Sequence, residues 1–265
     1  MSQLKKVGGE RYYARNFSAL NISVIHFMPI TIDADLRRLS QGEFGAIAFK
    51  VMGHAFDVHR ELGRLFDEGV YQTELASRCA TARTEVRVEV SFDDFRKLYF
   101  IDLLVENGAV FEIKVVDSFH DRHRAQLLNY LLLGDLAHGK LVNFRTTAVQ
   151  HEFVNTSLTR CDLTAFEVCD GRWHSSDSSS ADIKQRLVAM LRDVGAGLDL
   201  QLYKEAVIHW LGGPAIATFK VDVIVGDHRI GTHDAVCTPD KVGIELTALE
   251  RQDLRLFEDH YRRLL

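Results

Sequence analysis

The feature that most constrains this chain is a run from Val110 to Val116 that is apolar except for Glu112 and Lys114. Side chains alternate along a β-strand, so both charges would lie on the same face of such a strand. A charge inside an apolar strand is costly unless it is paired or functional. The run therefore predicts a buried strand whose glutamate and lysine are either paired with each other or functional.

A second carboxylate belongs to the preceding apolar run, where Asp102 lies between Ile101 and Leu103. The dipeptide Asn107-Gly108 separates the two runs and is a strong hairpin signal. A hairpin here would bring Asp102 close to Glu112 and Lys114. Two carboxylates can bind a hard divalent cation, which polarises a phosphodiester and lowers the pKa of a water, and the lysine can position that water. The alternative is a structural ion pair in a half-exposed hairpin.

Periodicity in the rest of the first half predicts a helix, a helix, three strands, a helix and two strands. The helices are expected at residues 42–62, 68–78 and 121–137, and the strands at residues 85–92, 98–106, 109–116, 140–144 and 149–154. Mixed helices and strands in this order are typical of an α/β sandwich with a mixed sheet.

The pattern of predicted elements then restarts. Residues 174–182 (HSSDSSSAD) have no periodicity and are predicted to be a linker. Beyond it we expect helices at residues 183–194 and 199–211, strands at 217–225, 229–236 and 242–246, and a last helix from residue 251. Several positions recur: Tyr71 with Tyr203, Asp102 with Asp234, Glu112-Ile113-Lys114 with Glu245-Leu246-Thr247, and Tyr130 with Tyr261. The recurrence predicts a tandem duplication with a degenerate second copy; the alternative is chance similarity.

Composition excludes several classes of protein. Cys79, Cys161, Cys169 and Cys237 form no CxxC pair, which argues against a zinc ribbon or a disulfide framework. No apolar stretch approaches the roughly 20 residues of a membrane helix, and we expect a cytoplasmic protein. The formal net charge of −5 argues mildly against a protein that coats nucleic acid, although metal-binding carboxylates would account for part of it.

Residues 42–154 resemble the GxxExxY family of the PD-(D/E)XK nuclease superfamily. The resemblance rests on His59-Arg60-Glu61-Leu62-Gly63, on Glu68-Gly69-Val70-Tyr71, on the Asp102 and Glu112-Ile113-Lys114 strands, and on Ala125-Gln126-Leu127-Leu128-Asn129-Tyr130-Leu131. One departure exists, because the glycine that opens the name-giving motif falls on Leu65. The resemblance implies a restriction-endonuclease-like αβββαβ sandwich, tandemly duplicated here.

By that resemblance Asp102 and Glu112 are metal ligands, joined by the backbone carbonyl of Ile113 and by Glu68. Lys114 is the implied catalytic lysine. Gln126 and Tyr130 match the Gln-x-x-x-Tyr motif of RecB-like exonucleases, in which the motif faces the site and the DNA. The expected cofactor is Mg²⁺ or Mn²⁺.

Further basic residues have open roles. His59 is either a metal ligand, as in some RecB-like relatives, or a histidine that satisfies carbonyls at a helix end. His120 and His123 are expected to be exposed or to face substrate. Arg122, His123 and Arg124 are the nearest candidates for a phosphate-binding patch, with a solvated helix face as the alternative.

The sequence thus predicts residues 1–40 as an N-terminal extension, 41–173 as a PD-(D/E)XK nuclease-like domain, 174–182 as a linker and 183–265 as a degenerate second module. The predicted function is metal-dependent hydrolysis of nucleic acid, with DNA as the expected substrate. The alternative is a non-catalytic nucleic-acid or protein-binding module that keeps the fold. The two copies are expected to form an intramolecular pseudo-dimer, and protein partners in a larger system remain open.

Overall fold

The computed structural model describes residues 29–171, 173, 177–249 and 252–261. Within them, a six-stranded sheet has the order β1-β2-β3-β4-β5-β6, in which β4 and β5 are parallel and the other neighbours antiparallel. Its strands are β1 (Ile30–Ile32), β2 (Ala82–Phe92), β3 (Phe95–Val105), β4 (Ala109–Lys114), β5 (His138–Asn143) and β6 (Gln150–Asn155). The helices of this half are α1 (Gln41–Leu62), α2 (Glu68–Ser77), α3 (Asp121–Leu133) and α4 (Arg160–Thr164). This arrangement confirms the predicted α/β sandwich with a mixed sheet.

Helix α1 illustrates how local sequence sets the elements. Ser40 and Glu43 form a reciprocal capping box at its start, which satisfies two backbone N–H groups that the helix leaves unpaired. The helix ends at Gly63, whose φ of 73° is a left-handed conformation that glycine adopts without strain. Between these signals an apolar stripe faces the sheet: Phe44, Ile47, Ala48, Val51, Met52, Ala55 and Val58.

The sheet has a hydrophobic core on each face. Helices α1 and α2 cover one face, and the core there includes Leu103, Phe111 and Ile113. Helix α3 covers the other face together with two helices from the second half of the chain, α5 (Ser178–Val194) and α6 (Leu200–Trp210). Both halves of the chain therefore contribute to a single core on that face.

Two segments differ from their prediction. Residues 1–28 of the predicted extension lie outside the described residues, but Ile30–Ile32 of that extension pairs with β2 as an edge strand. Within the predicted linker, residues 174–176 are likewise not described, whereas α5 already begins at Ser178, with Asp177 as N-cap accepting from the Ser180 backbone. Serine and aspartate favour loops and helix N-caps alike, so the linker prediction was wrong at its second half.

The second half continues with α7 (Pro214–Ala217), an antiparallel sheet of β7 (Thr218–Val225), β8 (His228–Cys237) and β9 (Gly243–Ile244), and α8 (Leu254–Tyr261). Apart from the short α7, this order repeats that from α1 to α3. One detail recurs as well. The hydroxyl of Tyr71 donates to the carbonyl of Gly63 at 2.9 Å, and that of Tyr203 donates to the carbonyl of Gly195 at 2.6 Å.

No helix among the described residues is both long enough and apolar enough to cross a membrane.

We expect Tyr71→Phe to lower the free energy of unfolding by about 1–2 kcal/mol. The Tyr71 hydroxyl donates to Gly63 and accepts from the backbone N–H of Phe66 at 3.3 Å, and its ring stacks on Phe144 at 4.5 Å between centroids. Urea denaturation followed by circular dichroism measures the change, with Tyr203→Phe as the matched variant. A Tyr71→Phe protein as stable as the wild type would show that this hydroxyl is dispensable.

Candidate active site

The hairpin between β3 and β4 brings the predicted acidic residues together. Its left-handed residues are Glu106 (φ 49°) and Asn107 (φ 56°), one position earlier than the predicted Asn107-Gly108 turn. Gly108 is required for space instead, because a Cβ there would lie 2.5 Å from the backbone oxygen of Arg37. The close approach of the Arg37 backbone therefore excludes a side chain at position 108.

The strand β3 is distorted at Asp102. Ile101 and Leu103 pair with residues of β2, but Asp102 between them does not pair with Glu85. The backbone of Glu85 has a φ of 50°. Ile101 and Leu103 lie in the cores on opposite faces of the sheet, although residues two apart in a regular strand face the same way. The break leaves the Asp102 carboxylate beside β4, where its Oδ2 accepts a hydrogen bond from the Ile113 N–H at 2.8 Å.

Three carboxylates surround the ammonium of Lys114 at the end of β4. Its Nζ lies 2.6 Å from Oε1 of Glu112, 3.6 Å from Oε2 of Glu68 and 3.7 Å from Oδ2 of Asp102. The exposed fraction of the acidic side chains rises from 0% for Glu112 to 20% for Asp102 and 45% for Glu68. The cluster therefore has a buried end and an end open to solvent at α2.

Burial and mutual repulsion make this cluster hard to ionise fully. Burial, with help from the charge of Asp102, raises the pKa of Glu112 to about 8, against the opposing effect of Lys114. Burial likewise raises the pKa of Asp102. Burial alone would lower the pKa of Lys114, but Glu112 and Asp102 outweigh it, so the pKa of Lys114 is raised. The site holds one ammonium beside three acidic groups, so a further positive charge would stabilise their ionised forms.

The residues fit a hard divalent cation. Both carboxylate oxygens of Glu112 are buried, and the Lys114 ammonium, 2.6 Å from Oε1, is the cation beside them. One ammonium among three carboxylates leaves the cluster short of positive charge, which Mg²⁺ or Mn²⁺ would supply. In the described part of the chain, no group of three or more His, Cys, Asp or Glu residues stands ready to hold a metal ion.

Gln126 and Tyr130 lie on α3, one turn apart. The Gln126 amide Nε2 donates to the Tyr130 hydroxyl at 3.1 Å, and the Tyr130 ring packs edge-on against Tyr99. Burial raises the pKa of Tyr130 to about 12, with smaller contributions from the charges of Glu112 and Asp102. Tyr130 is thus an electrostatic neighbour of the acidic cluster, but in the described residues no hydrogen bond joins either side chain to it.

The histidines and Arg124 have structural partners. His59 Nε2 lies 2.9 Å from the carbonyl of Thr146, so it contacts a loop carbonyl and not the acidic cluster. His123 is buried, and its Nδ1 accepts from the His120 backbone N–H at the start of α3, which corrects the expected exposure of His123. Arg124 forms ion pairs with Glu152 and Asp121. Of the predicted basic patch, Arg122 alone stays exposed without an ion pair among the described residues.

Two positioning residues escaped the sequence analysis. Gln72, one turn after Glu68 on α2, donates to the Asp102 carbonyl at 2.6 Å and to Glu85 at 2.7 Å. Asn143, fully buried at the end of β5, donates to the Val116 carbonyl at 2.7 Å and accepts from the Val116 N–H at 3.1 Å. The spacing of Gln72 from Glu68 and the polar end of an apolar strand at Asn143 were the available signals.

Residues 46–156 match the family model of the PD-(D/E)XK nuclease superfamily. The matched segment is less than half of the chain, and it contains Glu68, Asp102, Glu112 and Lys114 as well as the Gln126–Tyr130 pair. No curated protein and no solved structure matches the chain.

We expect Asp102→Asn to lose most of its affinity for Mn²⁺ in isothermal titration calorimetry, because the amide removes a charged oxygen ligand from the three-carboxylate cluster. Asp234→Asn is the matched control, since Asp234 is also a strand aspartate, on β8 of the second sheet, and is paired with Lys220 at 2.8 Å. Equal Mn²⁺ binding by Asp102→Asn and wild type would contradict the assignment of Asp102 as a ligand.

Proposed function

We propose that the protein is a Mg²⁺- or Mn²⁺-dependent nuclease that hydrolyses phosphodiester bonds in DNA. The observation that carries the proposal is the convergence of Glu68, Asp102 and Glu112 within 3.7 Å of the Lys114 ammonium. The match of residues 46–156 to a nuclease superfamily supports phosphodiester hydrolysis as the reaction class.

In this proposal Asp102, Glu112, Glu68 and the carbonyl of Ile113 hold the cation. When bound, the cation polarises the phosphodiester and lowers the pKa of a water. The hydrogen bond from the Ile113 N–H fixes the Asp102 carboxylate, and Gln72 holds the Asp102 peptide from the other side. These contacts preorganise the ligands before substrate arrives.

Lys114 has the role of positioning the attacking water and stabilising negative charge that develops on the phosphate. Its raised pKa keeps the ammonium protonated at neutral pH. Replacement of its contact with Glu112 by a metal–carboxylate contact would leave the ammonium available for substrate. Gln126 and Tyr130 lie on the neighbouring helix, and we assign them to the DNA side of the site, where the hydrogen bond between them orients both polar groups.

The alternative is a module that binds nucleic acid or protein without cleaving it, since the superfamily includes inactive members. A module without catalysis has no need to keep three carboxylates and a lysine together where burial disfavours their charges. The two functions differ in one assay, namely incubation of labelled single- and double-stranded DNA with Mg²⁺ or Mn²⁺, and then with EDTA. Binding without cleavage under both metals would favour the alternative.

We expect Lys114→Ala to reduce cleavage about 100-fold or more while the protein stays folded, because the ammonium acts mainly on transition-state charge. Circular dichroism and labelled-DNA cleavage measure the two quantities. The matched control is Lys220→Ala, which also removes a lysine paired with a strand carboxylate, Asp234, but on the second sheet. Cleavage by Lys114→Ala at the wild-type rate would reduce Lys114 to a structural partner of Glu112.

We also propose that the second half is a degenerate copy of the first. The repeated order of elements and the two tyrosine–glycine hydrogen bonds support this. Asp234 and Glu245 stand where Asp102 and Glu112 stand in the first copy, but Thr247, Leu200 and Phe257 replace Lys114, Glu68 and Gln126. Lys220 pairs with Asp234, and Lys204 pairs with Glu245 at 2.9 Å, so these carboxylates already have cations.

Helices form the contact between the two proposed copies. The two halves meet where α5 and α6 pack on the face of the first sheet, with Met190, Val194, Leu202 and Ala206 in the shared core. An ion pair of Lys97 with Glu205 and a contact of 3.1 Å between Asp94 and the His209 ring border it. We propose that this intramolecular pseudo-dimer replaces a partner subunit.

We expect the double variant Asp234→Ala/Glu245→Ala to cleave DNA within about twofold of wild type, whereas Asp102→Ala loses cleavage. The reason is that Asp234 and Glu245 are each paired with a lysine, whereas Asp102 belongs to a cluster of three carboxylates around one ammonium. Steady-state cleavage rates at saturating Mn²⁺ compare the variants, and binding of DNA confirms that each is folded. If the double variant were as inactive as Asp102→Ala while still folded, the second copy would have to be part of the catalytic site.

A further inference from the structure

The loop between α1 and α2 exposes two consecutive large apolar side chains beside the acidic cluster. Leu65 is 80% exposed and Phe66 is 47% exposed. Single exposed apolar residues are ordinary, but this pair comes just before Asp67, the N-cap of α2, and the first residue of that helix is Glu68. The apolar pair is therefore fixed next to a proposed metal ligand.

The loop is anchored and not merely a loose connection. The Tyr71 hydroxyl donates to the Gly63 carbonyl at 2.9 Å and accepts from the Phe66 N–H at 3.3 Å, which ties both ends of the loop to one buried side chain. The Phe66 ring also packs edge-on against the Tyr71 ring, at 6.3 Å between centroids. Leu65 thus projects from a loop whose position is set by the core.

The surroundings of the pair carry arginines. Two adjoining cavities, of about 490 and 670 Å³, share Leu65, Asp117 and Arg145. Arg64 borders the smaller cavity, and Arg122 borders the larger one together with Phe66 and Glu68. Arg64, Arg122 and Arg145 are all exposed, and none forms an ion pair within the part of the chain that is described. The Nε of Arg122 donates to His123 Nε2 at 3.3 Å, but no carboxylate of a described residue neutralises any of the three guanidinium groups, which can therefore contact phosphates.

We propose that residues 63–67 form a base-contacting wedge, so that the strand to be cut enters the site with unpaired, unstacked bases. The inference rests on the proposed nuclease function and specifies its substrate. In a duplex the base faces are stacked on one another, and an exposed Phe66 and Leu65 can contact a base face only when a base is unstacked. Arg64, Arg122 and Arg145 would then contact phosphates of the strand beside the place where Glu68, Asp102 and Glu112 would hold the cation.

The local charge pattern around residues 63–67 favours DNA, although the formal net charge of the chain is −5. Asp67 and Asp117 also border the larger cavity, so the arginines do not make a broad basic surface. A few guanidinium groups beside an apolar contact suit a single strand, which offers both base faces and phosphates. The pattern does not favour a protein that binds duplex DNA across a broad basic surface.

The test compares DNA binding by variants in the Lys114→Ala background with Ca²⁺, so that cleavage does not interfere. The probes are a short fluorescein-labelled DNA single strand, its blunt duplex, and the duplex with an unpaired tail, followed by fluorescence anisotropy. The variant is Leu65→Ala/Phe66→Ala, with Leu65→Ala alone to guard against a disturbed loop. Phe49→Ala is the matched control, because Phe49 is an 83% exposed residue on α1 that borders neither cavity.

We expect the double variant to bind the single strand and the tailed duplex about 10-fold more weakly, Leu65→Ala to lose a smaller factor, and the blunt duplex to change less than about twofold. Phe49→Ala should bind all three probes as its parent does. Arg145→Ala should weaken binding to all three and lower the slope of log affinity against log salt by about 1.

An equal loss of affinity for all three probes in the double variant, or no loss for any, would overturn the wedge. The nuclease proposal fails separately, if the wild-type protein cleaves none of the probes with Mg²⁺ or Mn²⁺. The anisotropy comparison still decides the wedge in that case, since it does not depend on cleavage.

Discussion

The buried carboxylate of Glu112 is the constraint on which the rest of the structure depends. Every residue of β4 is buried, so the Glu112 charge has no access to water and must be met by protein groups or by a cation. Lys114 is the nearest such group, and Asp102 and Glu68 complete the surroundings. The fold concentrates acidic groups where burial disfavours their ionised forms. The ionised cluster is therefore stable only when positive charge is supplied.

Several features far apart in sequence serve this one strand end. The break in β3 turns Asp102 toward β4, Gln72 holds the Asp102 carbonyl, and Asn143 fixes Val116 from the neighbouring strand. Tyr71 locks the loop that precedes Glu68. Each contact restrains a backbone segment, so the geometry of the charged side chains is set before any ligand binds.

The two halves of the chain are joined through hydrophobic burial more than through charge. Helices α5 and α6 supply apolar residues to the core over β2 and β3. The flanking Lys97–Glu205 ion pair and the Asp94–His209 contact are partly exposed and contribute little to stability. The second half therefore helps to stabilise the sheet that carries the acidic cluster. The carboxylates of Asp234 and Glu245 in the second half are paired with Lys220 and Lys204, in contrast to the acidic cluster of the first half.

The sequence by itself determined the mixed α/β architecture, most helices and strands of the first half, and the grouping of Asp102, Glu112 and Lys114, because periodicity and a hairpin signal are local. It did not determine the distortion of β3 at Asp102 or the burial of His123. It also did not determine the pairing of Arg124 with Glu152 or the packing of α5 on the first sheet. Those depend on residues distant in sequence that compete for the same space and hydrogen bonds. Gly108 shows the reason: a turn glycine by local rules, it is required by the approach of the Arg37 backbone, a contact that only the tertiary structure makes.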